Sequence, residues 1–201
     1  MTSDQSRTQY YTATSIDGFI ADEHNSLDWL FEADRASRDD EDRFGAFFAG
    51  VGAFAMGATT YEWVLAHDRL LDEPQKWGEM YADVRSWVFT HRELPSIPGA
   101  DLRFVSGDVQ PIHAEMTDAA GTKNVWLVGG GELVGQFADA GLLDDIILSL
   151  APVTLGAGAP LLPRHLTGLR LEDAQTVGGT FVELRYSLPS VDSEGRETMN
   201  P

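Results

Sequence analysis

The sequence predicts an α/β protein built on a mostly parallel β-sheet that helices cover on both faces, with an antiparallel addition near the C-terminus. Two short apolar runs, residues 53–56 and 125–128, each end in glycine and lead into a segment with helical periodicity. This strand–glycine–helix order is typical of parallel sheets. Residues 169–177 and 180–188 alternate in polarity across Gly178-Gly179, which predicts a terminal hairpin.

The chain of 201 residues is long enough for one domain with a sizeable core. We expect a single domain over residues 1–190 and a disordered polar tail over 191–201. The sequence has no run of about 18 apolar residues and no apolar stretch near its N-terminus, which predicts a soluble, cytoplasmic protein that makes no contact with membranes.

The charge and the cysteine content exclude several classes of function. A net charge of -18 would repel phosphate backbones, so we expect no nucleic-acid partner. The absence of cysteine excludes disulfides and thiol nucleophiles, and the five histidines show no i,i+4 pair, so we expect no metal site. Any anionic cofactor therefore needs a local basic pocket or a pocket of backbone amides.

The N-terminal half contains predicted strands at residues 10–15 and 53–56, with a short extended piece at 19–21. The apolar residues of 27–31 must fold back onto the core. A helical pattern at 44–51 follows four acids, residues 39–42, which we expect to cap it. A helix follows at 58–66, and residues 70–82 form a longer connection or a lid that carries two aromatic side chains with the character of exposed residues.

In the C-terminal half, residues 86–90, 102–105 and 146–150 are predicted strands, and 109–120 is a weakly periodic helix. A helix of one to two turns is expected after Gly141. Glycine and proline punctuate residues 152–163, which indicates irregular structure or an edge of the sheet.

The most informative stretch is the glycine turn between the strand at 125–128 and the helix that begins near Leu133. Gly129, Gly130 and Gly131 leave bare backbone, so a ligand could lie against the first-turn N–H groups of that helix. Such a helix N-terminus suits a phosphate. The alternative is a tight connection without a ligand, and the carboxylate of Glu132 argues mildly against a bound phosphate.

Ligands in open α/β sheets bind outside the carboxyl ends of the strands. Gly57, Thr90 and Gly129 each come directly after a predicted strand. We therefore expect these three strand ends to converge on one crevice.

Six sequence segments, in this order along the chain, resemble dihydrofolate reductase-like proteins, in particular the branch related to the C-terminal reductase domain of bacterial riboflavin biosynthesis proteins. The segments are ATSIDGFIA at 13–21, SLDWL at 26–30, MGATTY at 56–61, VGGGEL at 128–133, and GLLDDI at 141–146 with APVTLG at 151–156. The resemblance implies a three-layer α-β-α fold with a central, mostly parallel sheet of about eight strands.

The resemblance also implies a nicotinamide dinucleotide, NADPH or else NADH, lying along the strand ends. Residues carried over by position would contact it in four groups. Ala13 and the backbone of Ile20 and Ala21 would meet the nicotinamide end, and Gly57, Ala58, Thr59 and Thr60 the adenosine side and phosphates. The pyrophosphate would contact Val128, Gly129, Gly130, Gly131, Glu132 and Leu133, with a cis peptide in the glycine run. The adenine pocket would be edged by Thr90, His91 and Arg92.

Two departures from the family pattern affect function. Ala58 stands where the family commonly has arginine, which leaves Arg92 as the candidate partner for a ribose 2′-phosphate. Counting back from Met56 places Glu41, with Asp42 next to it, at the position of the acid that assists protonation in dihydrofolate reductases. The same two acids fit equally the capping cluster at 39–42.

Two function classes remain open. The first is an oxidoreductase that transfers a hydride from NADPH to a small heterocyclic or conjugated acceptor, such as a pterin or a pyrimidine. Asp17 and Trp29 would then border the substrate, although Trp29 also fits a core position. The second is a non-catalytic dinucleotide-binding or dimerisation module. A homodimer is expected in either case, because residues 153–162 are apolar and edge-like.

Overall fold

A computed structural model describes residues 6–36 and 43–189. These residues form one eight-stranded sheet in the order β5-β4-β3-β6-β1-β7-β10-β9, and a separate two-stranded pairing of β2 with β8. The strands are β1 Thr8–Thr14, β2 Phe19–Ala21, β3 Val51–Gly57, β4 Arg85–Phe89, β5 Leu102–Val105, β6 Asn124–Gly129, β7 Asp145–Leu150, β8 Ala159–Pro160, β9 Arg170–Val177 and β10 Phe181–Ser187. The helices are α1 Asp28–Ala36, α2 Arg43–Phe48, α3 Ala58–His67, α4 Gln75–Tyr81, α5 Val109–Ala120 and α6 Gly131–Asp139.

The direction of the strands confirms the predicted fold class. Strands β5, β4, β3, β6, β1 and β7 run parallel to their neighbours. The hairpin of β9 and β10 is antiparallel and joins the sheet beside β7. Parallel strands that are buried on both faces are continuous apolar runs, which is why residues 53–56 and 125–128 could be recognised from sequence.

Helices cover both faces of the sheet. On one face, α5 and α6 bury Met116, Val134 and Phe137 against Trp87 and Leu127. On the other face, α2, α3 and α4 pack onto Phe54, Met56, Val88 and Trp126 of the sheet. A third, smaller cluster around Trp29 joins α1 to the hairpin residues Val177 and Phe181.

Two sequence-based expectations need correction. Residues 70–82 are not an open lid, because α4 lies within them and its Trp77 and Tyr81 are buried against Phe54. No helix follows Gly141: residues 141–144 form a turn and a short coil before β7. The apolar residues of 27–31 do pack as expected, since Trp29 and Leu30 of α1, with Ala33 on the same helix, belong to one hydrophobic cluster.

The irregular stretch before β9 is tied closely to the rest of the sheet. Within it β8 pairs with β2, and Leu161 N–H donates to the carbonyl of Gly18. Tyr10 Oη donates to the carbonyl of Leu161, 3.0 Å away. These bonds hold residues 159–163 over the carboxyl ends of β1 and β6. No helix within the described residues is long and apolar enough to cross a lipid bilayer.

Candidate active-site cleft

A cleft of about 780 Å³ opens at the carboxyl ends of the adjacent strands β3, β6 and β1. The register of the sheet brings the ends of the first two together, since Met56 pairs with Gly129. Residues 159–160 and the chain between β1 and α1 also line it. The predicted convergence of strand ends is therefore observed for Gly57 and Gly129.

Most residues that the sequence assigned to a cofactor line this cleft. They are Ala13, Ile20, Ala21, Gly57, Ala58, Thr59, Thr60, Val128, Gly129, Gly130, Gly131, Glu132 and Leu133. They come from three separate parts of the chain, and the parallel sheet brings them together because its strands end at one edge.

Each glycine of the turn at 129–131 has a different geometric environment. Gly129 has a φ of +135°, and the peptide bond from Gly129 to Gly130 is cis, as the family resemblance implied. A Cβ atom on Gly131 would lie 2.4 Å from the Leu161 carbonyl oxygen, so this glycine is needed for close packing. A Cβ on Gly130 would meet only Ile20 Cδ1, at 3.9 Å, and would enter the cleft.

Gly130 is therefore the point where bare backbone faces open space at the start of α6. It is the N-cap residue of α6 in an extended conformation, and no side chain caps this end of the helix. Free N–H groups and the helix dipole favour an anion at such an end. The arrangement fits a pyrophosphate, and a branched side chain at this position would occupy the same space.

The carboxylate beside this turn is neutralised by an arginine that the sequence analysis did not single out. Arg164 Nη2 and Nη1 donate to Glu132 Oε1 and Oε2 at 2.6 and 3.0 Å, and its Nε donates to Asp139 at 2.8 Å. The hydrogen bonds and charge of Arg164 lower the pKa of Glu132. Glu132 therefore repels a nearby phosphate less than an unpaired carboxylate would.

Gly135 explains how Arg164 can lie along α6. A Cβ atom at position 135 would come within 2.8 Å of the Arg164 guanidinium carbon. The two residues that the arginine joins are 25 and 32 positions away from it in the sequence. No local pattern could reveal this contact.

The cleft also has aromatic walls that the sequence analysis left unassigned. Five aromatic side chains line it: Tyr11, Phe44, Trp63, Tyr81 and Trp126. The alternation of side chains along a strand could have indicated part of this lining. Tyr10 is buried in the cluster under α5 and α6, whereas Tyr11 points to the opposite face of the sheet. The contribution of α2 and α3 depends on tertiary packing.

The loop after β4 lies at a different place from the cleft lining. Thr90, His91 and Arg92 do not line the cleft, and His91 and Arg92 are exposed. Arg92 is paired with Glu62 on α3, with its two terminal nitrogens 2.8 and 2.9 Å from the carboxylate oxygens. A 2′-phosphate that binds Arg92 must therefore compete with Glu62.

Asp17 and Trp29, the two residues predicted to border the substrate, make contacts within the fold. Asp17 accepts hydrogen bonds from Ser15 Oγ and from the backbone N–H groups of Leu155 and Gly156, and these bonds lower its pKa to about 2. Trp29 is buried against Ala151 and Phe181, which favours the core alternative. Neither residue lines the cleft. Glu41 and Asp42 lie outside the described residues.

The sequence of residues 8–182 matches the family model of the RibD C-terminal domain. The chain belongs to this family. It is similar to the uncharacterised protein YwjB of Bacillus subtilis, at 31% identity over 90% of this chain and 97% of YwjB. The uncharacterised protein YyaP of the same bacterium is 24% identical over 87% of this chain and 90% of YyaP.

Solved structures support the fold of this RibD C-terminal domain. A Shewanella sp. PV-4 protein, assigned provisionally to riboflavin biosynthesis, superposes with a TM-score of 0.72 at 24% identity and covers 90% of this chain and 98% of its own. A pyrimidine reductase-like protein from Corynebacterium diphtheriae superposes with a TM-score of 0.59 at 16% identity, over 91% of this chain and 92% of its own. A Thermotoga maritima deaminase/reductase gives 0.58 at 16%, with 93% of this chain and 58% of the longer protein covered.

Proposed function

We propose that this RibD C-terminal domain is an NADPH-dependent oxidoreductase that reduces a small heterocyclic or conjugated acceptor. The observation that carries the proposal is the bare backbone of Gly130 at the uncapped start of α6, facing the cleft next to Gly57. The bound cofactor would supply a hydride to the acceptor. The relation of this chain to the RibD C-terminal domain family supports the same reaction class.

The residues of the chain divide the binding of the cofactor among them. The backbone of 129–131 would bind the pyrophosphate, and 57–60 the adenosine side. Ala13, Ile20 and Ala21 are small or apolar and line the same cleft, so they would contact the flat nicotinamide ring and exclude water from it. The side chains of Ile20 and Leu133 supply apolar contact without competing hydrogen bonds.

A second candidate is a dinucleotide-binding module without turnover. Ala58 at the expected arginine position and the pairing of Arg92 with Glu62 favour it, because both weaken the case for a tightly held NADPH. The two candidates differ in one measurable property: both bind a cofactor, and only the first oxidises it.

The test combines a binding titration with a turnover assay. We expect NADPH to bind the parent protein and to be oxidised in the presence of a quinone. Gly130→Val should abolish NADPH binding, because its branched side chain fills the pyrophosphate space, while Gly130→Ala should weaken binding less. Melting temperatures near that of the parent would show that both variants are folded, as the φ of -74° at this position suits any residue.

Unchanged NADPH affinity in Gly130→Val would contradict this location of the pyrophosphate. Binding without oxidation across a panel of quinones and heterocycles would favour the non-catalytic module. If the folded parent protein binds neither NADPH nor NADH, the reductase proposal fails.

A further inference from the structure

The acceptor side of the cleft carries a specific combination of rings. Phe44 and Trp126 meet edge to face with ring centroids 5.4 Å apart, and Tyr11 packs on Phe47, which itself lies 5.9 Å from Trp126. Trp63, on α3, also lines the cleft. A flat ring bound against these aromatic side chains would bury apolar surface.

Contacts within the lining and behind it hold these rings in place. Trp126 Nε1 donates to the backbone carbonyl of Tyr11 at 3.1 Å, so the polar atom of this indole is already used. Trp63 stacks on His67 at 4.4 Å, and Phe31 of α1 stacks on the same imidazole at 5.0 Å. The rings therefore present a preformed apolar surface to the cleft.

The described cleft lining carries little charge for a protein whose net charge is -18. Among the described residues that line the cleft, Glu132 is the single charged side chain, and Arg164 already binds it with two hydrogen bonds. No lysine, arginine or histidine belongs to that described lining. Arg43, next to Phe44, lines instead a second cavity of about 450 Å³ that also contains Asp173 and Glu183.

Two phenols of the lining stay uncharged at neutral pH. Burial, together with the negative charge of Glu183, raises the pKa of Tyr11 to about 12, and the positive charge of Arg43 opposes this shift. Burial, together with the charge of Asp68, raises the pKa of Tyr81 to about 12. Their hydroxyl groups can donate a hydrogen bond to a carbonyl or ring nitrogen, and they offer no counter-charge to an anion.

We infer that the acceptor is a planar, uncharged ring that bears no phosphate, carboxylate or sulfonate group. The inference rests on the proposed reductase function and narrows its substrate class. An anionic group placed among these rings would be desolvated with no cation among the described lining residues to pair with it, which is costly. In the reaction the acceptor takes a hydride from NADPH and a proton from water, and the cofactor leaves as NADP⁺.

A matched pair of acceptors tests the inference by binding as well as by turnover. The probes are 2-methyl-1,4-naphthoquinone, which is uncharged, and 1,4-naphthoquinone-2-sulfonate, an anion with the same ring system. Quenching of tryptophan fluorescence is measured in the presence of NADP⁺, where no hydride can be transferred. We expect the uncharged quinone to bind at least about 10-fold more tightly, both at low salt and at about 0.5 M salt, where long-range repulsion is screened.

Two variants and a control locate the binding surface. Phe44→Ala should weaken the binding of the uncharged quinone about 3- to 10-fold, because one aromatic contact is lost. Phe104→Ala removes an equally exposed phenylalanine on β5, outside the cleft, and should leave quinone binding unchanged; the exposed fractions are 40% and 37%. Phe44→Lys adds a cation to the lining and should bring the sulfonate to an affinity equal to or above that of the uncharged quinone.

Equal binding of the two quinones by the parent protein at both salt concentrations would overturn the inference. It would also be overturned if NADPH binds and is oxidised by other acceptors while the uncharged quinone shows neither quenching nor turnover, and in that case the reductase function would stand. If NADPH itself does not bind, both the inference and the proposed function fail.

Discussion

At the scale of single residues, the cleft depends on which side chains are missing as much as on those present. Gly130 leaves the start of α6 bare, and Ala58 leaves the start of α3 without the arginine common in the family. Under the proposed function, the first absence would leave space for a pyrophosphate, and the second would leave the adenosine side without a cation at position 58. Cofactor preference would then depend on Arg92, which is bound to Glu62 in the structure.

Arg92→Ala should weaken the binding of NADPH about 10- to 150-fold, because a bidentate contact with a charged group contributes about 1.5–3 kcal/mol. The binding of NADH should stay nearly unchanged. Glu62→Gln should have the opposite sign and strengthen NADPH by up to about 5-fold. Its competing ion pair is exposed, and exposed pairs contribute about 0–1 kcal/mol. Dissociation constants for both cofactors check the prediction.

The control for net charge is Arg85→Ala. Arg85 begins the strand that Arg92 follows, and it is paired with the exposed Asp101 in a similar way. We expect this variant to bind both cofactors as the parent does. If Arg92→Ala weakens NADPH and NADH equally, Arg92 has a structural role and the 2′-phosphate is bound elsewhere.

At the scale of elements, a buried carboxylate fastens three strands of the sheet at the end opposite the cleft. Asp145 at the start of β7 is 1% exposed and accepts hydrogen bonds from Arg7 just before β1, from Gln9 on β1 and from Arg185 on β10. Burial opposes its ionisation, but the hydrogen bonds from Arg7 and Gln9 and the charges of Arg7 and Arg185 outweigh burial, so its pKa is lowered.

Asp145→Asn should lower the free energy of unfolding at pH 7 by about 2–3 kcal/mol, the contribution expected of hydrogen bonds to a charged group. Because the folded-state pKa lies below the ordinary value of 3.8, the contribution is fully present above that value. It is lost as the pH falls below 3.8 through the folded-state pKa. Urea unfolding at pH 7 and at pH 3 should therefore show a smaller difference between parent and variant at the lower pH.

Asp101→Asn is the matched control, since the same substitution at an exposed ion pair should cost only about 0–1 kcal/mol. An Asp145→Asn variant no less stable than Asp101→Asn would show that Arg7 and Arg185, both more than two-fifths exposed, regain their interactions with water at no cost.

At the scale of the whole molecule, the homodimer stays a prediction, and the structure bears on which surface could form it. Val153 and Leu155 pack in part against the Trp29 cluster, and Leu161 and Leu162 pack in part against the core under α6. Ile16, whose backbone N–H donates to the carbonyl of Val153, is 60% exposed beside this stretch. A second exposed apolar surface lies on β9 at the edge of the sheet, where Leu171 is 51% exposed and Leu169 directly before it is 37% exposed. An exposed edge strand offers unpaired backbone groups to a second strand.

We predict that the protein is a homodimer that pairs through β9. Light scattering at micromolar concentration should give twice the mass of one chain, 22.0 kDa. Leu171→Glu should shift the protein to the monomer, because a charge at the contact is desolvated. Leu71→Glu, at a leucine that is 52% exposed and lies outside β9, should remain dimeric. A monomeric parent protein would refute the dimer, and equal behaviour of both variants would refute its location.

The sequence alone determined those features whose physical cause is local in the chain. Apolar runs that end in glycine predicted β3 and β6, alternation across Gly178-Gly179 predicted the hairpin of β9 and β10, and periodicity predicted α3, α5 and α6. Because parallel strands end at one edge, their order also predicted that Gly57 and Gly129 meet. Local sequence was therefore sufficient to locate the backbone that lines the cleft at these two strand ends.

Tertiary structure decided everything that depends on contacts between distant parts of the chain. The neutralisation of Glu132 by Arg164, the pairing of Arg92 with Glu62, and the aromatic walls contributed by Tyr11, Phe44 and Trp63 join residues that no sequence period relates. Trp29 and Asp17 fit a site by their residue types, and only burial and hydrogen bonds gave them structural roles. Charge and burial at a site are sums over neighbours in space, and only the folded chain defines those neighbours.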